Sequence, residues 1–198
     1  MDMTGYYEWN PMPHIVDIHC PNCLESAKFE FAEVVKIKLK KDVAFFKESN
    51  LFDYKLLVDS SGQRWHAAIY YPGLHGGSTL AIQGLPEGYK SSDWDHSRFL
   101  RQNRQPLLGS MSCKNCSQAT KHLLRWPDEA YYTIEFKGSV LWAYHRESLI
   151  ELRDFILSAD RKEENYKWRN FLRHVPTTFK KQNARETVAK RLNRLINN

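Results

Sequence analysis

The sequence predicts an α+β fold, with two cysteine-containing turns that frame a β-rich segment and a helical segment that follows them. Three observations lead to this prediction. Two Cys-x-x-Cys motifs lie far apart in the chain, alternating apolar residues indicate strands, and apolar residues recur at helical spacing after residue 146. No internal repeat or low-complexity linker is visible, so we expect residues 1–198 to form one integrated unit.

The composition is that of a packed globular protein. The chain has 198 residues, 42% of them hydrophobic, and its 6 Trp, 10 Tyr and 10 Phe supply enough apolar surface for a core without disulfides. The N-terminal stretch MDMTGYYEWNPMPH has neither a basic start nor a continuous apolar run, and no run in the chain approaches the roughly 20 apolar residues of a membrane helix. We therefore expect a cytoplasmic protein without a membrane segment.

All four cysteines fall in the two Cys-x-x-Cys motifs. Two intervening residues let one tight turn direct both thiolates at one ion, and two such turns complete the tetrahedral sulfur set that zinc prefers. Pro21-Asn22 and Lys114-Asn115 suit such turns, because Asn tolerates a left-handed backbone. We predict one structural Zn²⁺, bound by Cys20, Cys23, Cys113 and Cys116.

Strand-like sequence flanks both motifs, at residues 15–18 and 28–31 and at residues 110–112 and 120–124. This arrangement resembles a zinc ribbon, in which two hairpin knuckles hold one metal ion. The resemblance covers residues 14–31 and 108–126. It departs from the usual spacing, because 89 residues separate Cys23 from Cys113 where such sites commonly have about 15 to 20. We therefore expect residues 32–107 to be a β-rich insertion between the knuckles.

Two separate thiol-redox motifs or two disulfides are the alternatives to a single metal site. Disulfides are disfavoured in a reducing cytosol, and neither motif opens a helix after a buried strand as a thioredoxin motif does. A four-sulfur site has no open coordination position, so its ion would fold the chain and bind no catalytic water. His19 can compete for a ligand position, but two complete cysteine pairs make this unnecessary, and we expect it to donate to a thiolate or to face solvent.

The insertion is expected to begin with a hairpin of residues 55–59 and 64–71 around a turn at residues 60–62, and to continue as a loop-rich segment after Pro72-Gly73. Its candidates for chemistry or for a second metal match no spacing motif, so we interpret them as strand-surface and loop residues. They are His66, His75, Asp93, Asp95 and His96. Gly76-Gly77 lacks the following Lys of a phosphate-binding loop, which excludes nucleotide binding of that type.

Residues 127–198 are predicted to form a hairpin followed by a basic helical tail. Residues 131–137 and 140–144 pair around a turn at Gly138-Ser139, with Tyr132, Ile134 and Phe136 on one face together with Leu141 and Ala143. The opposite face mixes charged and aromatic residues, a composition that can stack bases but more often lies under a helix.

Pro127-Asp128 with Glu135-x-Lys137 resembles the PD-(D/E)xK nucleases, whose acidic residues hold a metal ion and whose Lys assists the attacking water. In one continuous strand, seven steps of about 3.3 Å would put the two carboxylates roughly 20 Å apart, too far to share an ion. The match requires a turn at Glu129-Ala130, or a contribution from Asp93 or Asp95. A metal-dependent nuclease or other hydrolase is therefore the alternative function.

Three helices are predicted in the C-terminal part. Residues 146–160 bury Leu149, Leu152, Phe155 and Ile156, and a shorter helix runs from Glu163 to Arg173 before Val175-Pro176. The last helix, residues 184–196, is predicted to bury Val188, Leu192, Leu195 and Ile196.

The positive charge of the chain lies in this helical tail. The formal net charge is +6, and residues 161–198 carry eleven Lys or Arg against three Glu. Such a segment favours nucleic acid, an anionic membrane face or an acidic partner protein, although it can also be a solvated helix surface. The candidate nucleic-acid-binding residues are Lys180, Lys181, Arg185, Lys190, Arg191 and Arg194.

From CKNC onward, the segments HLLRWPDEAYY and GSVLWAYHRESL and the basic tail resemble small bacterial zinc-ribbon proteins. The resemblance implies a bacterial cytoplasmic protein and implies no activity. From the residues themselves we favour a zinc-binding, non-enzymatic binding module that contacts nucleic acid or an acidic partner protein, within a larger complex. This module needs residues that are present in bulk, whereas an enzyme needs a constellation that the sequence does not display.

Overall fold

A computed structural model of the chain describes residues 12–59, 61–99 and 107–197. The start of the N-terminal stretch that we used to predict localisation, Ser60 of the predicted turn and residues 100–106 of the predicted insertion lie outside the described residues. The predicted fold class is confirmed: the chain is mixed α+β, with several antiparallel sheets, a C-terminal helix and four clustered cysteines.

The elements of the described residues are as follows. The strands are β1 (Ile15–His19), β2 (Ser26–Phe31), β3 (Glu33–Lys36), β4 (Asp53–Val58), β5 (Arg64–Tyr70), β6 (Asp95–His96), β7 (Leu107–Ser112), β8 (Ala119–Leu124), β9 (Tyr132–Phe136) and β10 (Ser139–Ala143). The helices are α1 (Val43–Glu48), α2 (Pro72–His75), α3 (Arg146–Leu157), α4 (Arg169–Arg173), α5 (Thr177–Lys180) and α6 (Gln182–Asn197). Short 3-10 turns lie at Lys40–Asp42, Thr79–Ala81, Ser91–Asp93, Ser97–Phe99 and Glu163–Asn165.

The described residues form two compact units. One contains the residues up to His19 together with those from Pro127 onward, and the other contains Cys20–Trp126. The second unit holds both cysteine motifs, and the first holds the basic helical tail.

In the Cys20–Trp126 unit, the strands next to the cysteines determine where the two motifs lie. Strands β2, β7 and β8 are antiparallel neighbours in that order, with Lys28 opposite Ser112 and Ser112 opposite Ala119. Strand β2 begins shortly after Cys23, while β7 ends immediately before Cys113. This register puts both Cys-x-x-Cys turns at the same end of the three strands.

The described residues between the motifs include a second antiparallel sheet, in the order β4–β5–β3–β6. Alternate residues of β5 face two different cores, because successive side chains of a strand point to opposite faces. Ala67 and Ile69 belong to one core with Val34, and Ala68 and Tyr70 belong to the other. The predicted hairpin of residues 55–59 and 64–71 is therefore present as β4 and β5.

The segment after β5 differs from the predicted loop. Residues Pro72–His75 form helix α2, with Pro in its first turn, where the missing N–H costs no helical hydrogen bond. Gly76 ends the helix at φ 78°, a left-handed conformation that glycine adopts without steric cost. The Gly-Gly pair at positions 76 and 77 thus follows a helix terminus.

In the unit that contains Pro127–Asn197, β9 and β10 form the predicted hairpin, but its turn is one residue earlier than expected. Ser139 pairs with Phe136, so the loop consists of Lys137 and Gly138, which have φ values of 52° and 73°. Two successive positive φ values match the right-handed twist of a two-residue hairpin, which explains the choice of this pair over Gly138-Ser139. The face of Tyr132, Ile134, Phe136, Leu141 and Ala143 is buried, as predicted.

Helix α3 begins where the sequence predicts and ends at Leu157, three residues early. At its start, the Ser148 N–H donates to His145 Nδ1 at 3.3 Å, while the His145 N–H donates to Ser148 Oγ at 3.1 Å. This reciprocal pair caps the helix. Leu149, Leu152 and Ile156 are fully buried and Phe155 nearly so, which confirms the predicted apolar face.

The predicted helix from Glu163 to Arg173 is wrong, because the segment is broken in two. A 3-10 turn covers Glu163–Asn165, Tyr166 is extended, and α4 begins only at Arg169. The carboxylate of Glu151 accepts hydrogen bonds from the backbone N–H groups of Lys167 and Trp168, at 3.3 and 2.8 Å. These side-chain acceptors replace the helical carbonyls that a continuous helix would have supplied.

Helix α6 is slightly longer than predicted and packs against α3. It buries Val188, Leu192 and Ile196 as expected, while Leu195 is half-buried. The guanidinium of Arg153 donates to Asn193 Oδ1 at 3.1 Å, and that of Arg146 to the Ile196 carbonyl at 3.1 Å. None of the helices in the described residues is long and apolar enough to span a membrane.

Candidate metal centre

The first knuckle is a tight turn closed by its own backbone. The Cys20 N–H donates to the Glu25 carbonyl at 2.8 Å, and the Leu24 N–H donates to the Cys20 carbonyl at 2.8 Å. Leu24 has a φ of 64°, in the left-handed region. The turn therefore brings Cys20 and Cys23 to one side of the chain before β2 begins.

The second knuckle repeats this geometry. The Cys113 N–H donates to the Gln118 carbonyl at 2.8 Å, and Ser117 has a φ of 56°. Ser117 follows Cys113 by four residues, as Leu24 follows Cys20. Asn22 and Asn115 lie in turns, as the sequence suggests, while the left-handed positions are Leu24 and Ser117.

The two knuckles bring their four sulfur atoms together. Cys20 Sγ lies 3.7 Å from Cys116 Sγ, and Cys23 Sγ lies 3.6 Å from Cys113 Sγ. All four Sγ atoms lie within 4.8 Å of one another. With Zn–S bonds of about 2.3 Å, the sulfurs of a tetrahedral site are about 3.8 Å apart. The four thiols can therefore bind one metal ion, and distances of this size are those of its coordination shell.

Each of these two sulfur contacts joins the first cysteine of one knuckle to the second cysteine of the other. The four cysteines are free thiols, with Cys20 and Cys113 buried and Cys23 and Cys116 half-buried. A disulfide requires a sulfur–sulfur distance of about 2.05 Å. Because the motifs share one site, the alternative of two independent redox motifs has no support in this geometry.

Asparagine side chains from the opposite knuckle favour two of the thiolates. The Asn22 amide donates to Cys116 and, with the Gln118 backbone, lowers the pKa of that thiol to about 6. The Asn115 amide donates to Cys23 and, with the Glu25 backbone, lowers the pKa of that thiol as well. Such hydrogen bonds stabilise the charged sulfur that a metal ion requires.

Cys113 differs from these two thiols. The Cys116 backbone favours its thiolate, but burial and the neighbouring thiols outweigh that effect and raise the pKa of Cys113 to about 11. Without a cation, four thiolates in this volume repel one another, so some must remain protonated. A divalent ion removes this conflict, because it binds all four as thiolates and releases their protons.

His19 is exposed, and its ring centroid lies 5.0 Å from that of Tyr131. The group of His, Cys, Asp and Glu side chains that can hold a metal ion among the described residues consists of the four cysteines. Four sulfurs fill a tetrahedral shell, so the arrangement has the chemistry of a structural site and leaves no position for a substrate.

The other polar candidates of the insertion are dispersed among separate contacts. His66 Nδ1 lies 2.6 Å from the Tyr54 hydroxyl, and the His75 ring stacks on Tyr70 with centroids 5.2 Å apart. Asp93 accepts from Lys38 Nζ at 2.9 Å. Asp95 and His96 form the short strand β6.

The acidic residues of the nuclease comparison, Asp128 and Glu135, can also be located in the structure. The turn lies at residues 126–129 and contains Asp128 itself, whereas the comparison requires a turn at Glu129-Ala130, and Ala130 forms an isolated β-bridge. Asp128 and Glu135 are both exposed, and neither belongs to a group of three metal-ligating side chains in the described residues.

The six predicted nucleic-acid-binding residues lie on α5, α6 and the residue that joins these helices. Lys181, Lys190, Arg191 and Arg194 are exposed, while Lys180 and Arg185 are half-buried. The Arg191 guanidinium donates to the Glu135 carbonyl and lies 5.7 Å from the centroid of the Phe136 ring. Within the described part of the chain, none of the six forms an ion pair with a carboxylate.

Two features were missed in the sequence. Asn precedes the second cysteine of both motifs, and this repetition was a signal that Asn22 and Asn115 share a role at the sulfurs. Arg161 lies close to Lys180 and Arg185, but it is nineteen residues before Lys180 in the chain, and no local pattern links them.

No family model, curated protein or solved structure matches the chain.

Proposed function

We propose that this protein is a zinc-binding, non-enzymatic binding module that contacts nucleic acid through its basic C-terminal helical segment. Zinc is the metal we assign, because a tetrahedral set of four thiolates suits Zn²⁺ and leaves it no catalytic position. Its role is to hold the two knuckles together at the end of β2, β7 and β8.

The observation that carries the nucleic-acid part is the unpaired charge of the C-terminal helices. Helix α6 buries one face through Ala184, Val188, Leu192 and Ile196 and turns cations to the solvent. The six basic residues from Lys180 to Arg194 have no carboxylate partner among the described residues. Cations that are not neutralised within the protein remain available to the phosphates of a polyanion.

The test is a fluorescence anisotropy titration of the purified protein with labelled single-stranded DNA, single-stranded RNA and duplex DNA. We expect binding at 50 mM salt and a loss of roughly three orders of magnitude or more in affinity by 200 mM if six phosphates are contacted. Absence of binding to all three probes at low salt would remove the nucleic-acid proposal. If the protein binds an acidic protein but none of these probes, the basic C-terminal segment would instead be assigned to an acidic partner protein.

A matched pair of variants tests the surface itself. Lys190→Gln with Arg194→Gln removes two exposed charges from α6, and Lys40→Gln with Lys41→Gln removes two exposed charges from the other unit. We expect only the α6 variant to lower affinity and the salt slope. An equal effect of both variants would mean that net charge alone governs binding.

A further inference from the structure

Two guanidinium groups converge on one backbone oxygen beside α6. The Arg161 Nη2 donates to the Lys180 carbonyl at 2.5 Å, and the Arg185 Nε donates to the same oxygen at 3.4 Å. Arg161 is held in place by its own backbone, which has a φ of 44° and donates its N–H to Ser158 Oγ at 3.2 Å. The side chains of Arg161 and Arg185 are therefore fixed close together despite their like charges.

The charge of this cluster is not balanced within the protein. Burial, and then repulsion by Arg185, lower the pKa of Arg161. Burial, and then repulsion by Arg161, lower the pKa of Lys180. The acid that acts on Lys180 is Glu163, whose carboxylate already accepts from Arg173 Nε at 2.9 Å. Among the described residues, no carboxylate pairs with Arg161, Lys180 or Arg185.

The cluster also holds an unused donor. Arg161 Nε is buried and has no hydrogen-bond partner among the described residues. A buried N–H without a partner is costly, and a cationic one more so, so such a donor indicates a group that completes the site. The forked donors of guanidinium match the oxygens of a phosphate group.

We propose that Arg161, Lys180 and Arg185 form a phosphate-binding site that takes one backbone phosphate of a bound nucleic acid. The assignment rests on the nucleic-acid function proposed above and gives it an anchor point. A phosphate here would accept from the free guanidinium donors and offset the repulsion among three cations. Lys190 and Arg194 are exposed further along α6 and can contact other phosphates of the same strand.

The first test compares salt slopes in the anisotropy titration. We expect Arg185→Gln to lower the slope by about one phosphate contact, close to 0.7 for single strands and 0.9 for duplex DNA. Arg161→Lys keeps the charge but loses the fork, and we expect it to weaken binding with a smaller change in slope. The control is Lys162→Gln, which removes an exposed charge that neighbours Asp160 at 3.5 Å and should leave the slope unchanged.

The second test uses inorganic phosphate and thermal unfolding. At matched ionic strength, phosphate should raise the unfolding temperature of the native protein and of Lys162→Gln more than chloride does, but not that of Arg185→Gln. Without phosphate, Arg185→Gln should unfold no earlier than the native protein, because it relieves repulsion. If Arg185 has only a structural role, Arg185→Gln should instead unfold at a lower temperature than the native protein.

The outcomes separate the two proposals. If the native protein binds no oligonucleotide, the proposed function fails, and stabilisation by inorganic phosphate would then assign the site to a free phosphate ligand. If the native protein binds oligonucleotides but Arg185→Gln and Arg161→Lys behave as Lys162→Gln does, the function stands and the anchor site is refuted. An equal phosphate effect in native protein and Arg185→Gln also refutes it.

Discussion

Asn22 and Asn115 occupy equivalent positions of the two knuckles, and the side-chain amide of each lowers the pKa of a cysteine thiol of the other knuckle. The exchange is reciprocal: Asn22 reaches Cys116, and Asn115 reaches Cys23. Each asparagine therefore favours a thiolate of the opposite knuckle, which links the Cys-x-Asn-Cys sequence to the chemistry of the site.

Replacement of these asparagines should weaken metal binding. We expect Asn22→Ala and Asn115→Ala each to lower metal affinity about 10- to 100-fold, the usual effect of losing a hydrogen bond to a ligand. Competition with a chromophoric chelator measures this. Lys114→Ala changes an exposed residue of the same turn and is the control. Asparagine variants that bind metal as tightly as Lys114→Ala would show that the amides only shape the turns.

The turn of the β9–β10 hairpin should be sensitive to a side chain at Gly138. Its φ is 73° and nothing lies within 4 Å of an added Cβ, so the cost of Gly138→Ala is backbone strain alone. We expect a loss of about 1 kcal/mol in unfolding free energy by urea denaturation. Gly77→Ala, whose Cβ meets only an ordinary contact with Ala81 at 3.7 Å, should cost less. Equal costs would argue against the left-handed turn.

Arg191 should stabilise the fold more than Arg194, another basic residue of α6. It donates to the Glu135 carbonyl and lies over the Phe136 ring, whereas Arg194 is exposed without a carboxylate partner in the described residues. We expect Arg191→Ala to lower the unfolding free energy by about 1 kcal/mol, from a hydrogen bond to a charged group and a cation–π contact. Arg194→Ala should change it by under about 0.5 kcal/mol. A reversed order would contradict these contacts.

His174 should make the protein less stable in mild acid. Burial, and then the Arg173 cation, lower the pKa of His174 below the ordinary value of 6.5. The unfolded chain then binds more protons than the folded one, so this contribution is fully present above pH 6.5 and is lost as pH falls toward the folded pKa. We expect the urea midpoint to fall less between pH 7.5 and 5.5 in His174→Gln than in the native protein. A steeper fall of the urea midpoint in His174→Gln than in the native protein would contradict a lowered pKa of His174.

The sequence predicted best where spacing or periodicity acts locally. Two Cys-x-x-Cys motifs with no spare cysteine predicted a shared site, and the four sulfurs do meet. Leu149, Leu152, Phe155 and Ile156 follow the helical period, and α3 buries them. The period could not show that Glu151 would take the N–H groups of Lys167 and Trp168, because that bond depends on tertiary packing. The hydrogen bonds to Glu151 accompany the break in the helix that the sequence predicts from Glu163 to Arg173.

Strand pairing explains one of the other misses, and a contact distant in the chain explains another. The pairing of Ser139 with Phe136 moved the hairpin turn to Lys137-Gly138, since the twist of the strands selects two positive φ values. Arg161 joined Arg185 at the Lys180 carbonyl through a turn that no propensity specifies. In the first case the pairing of adjacent strands decides the turn, and in the second a contact nineteen residues away decides the side-chain position.

The convergence of four thiolates on one ion is tested most directly by elemental analysis of protein purified without chelator, together with the spectrum after Co²⁺ substitution. We expect one zinc per chain and the sulfur-to-cobalt bands of a tetrahedral four-sulfur site, with one ion lost in Cys113→Ser. Protein that contains no metal, or two ions per chain, or that keeps a full-affinity ion in Cys113→Ser, would contradict the shared site.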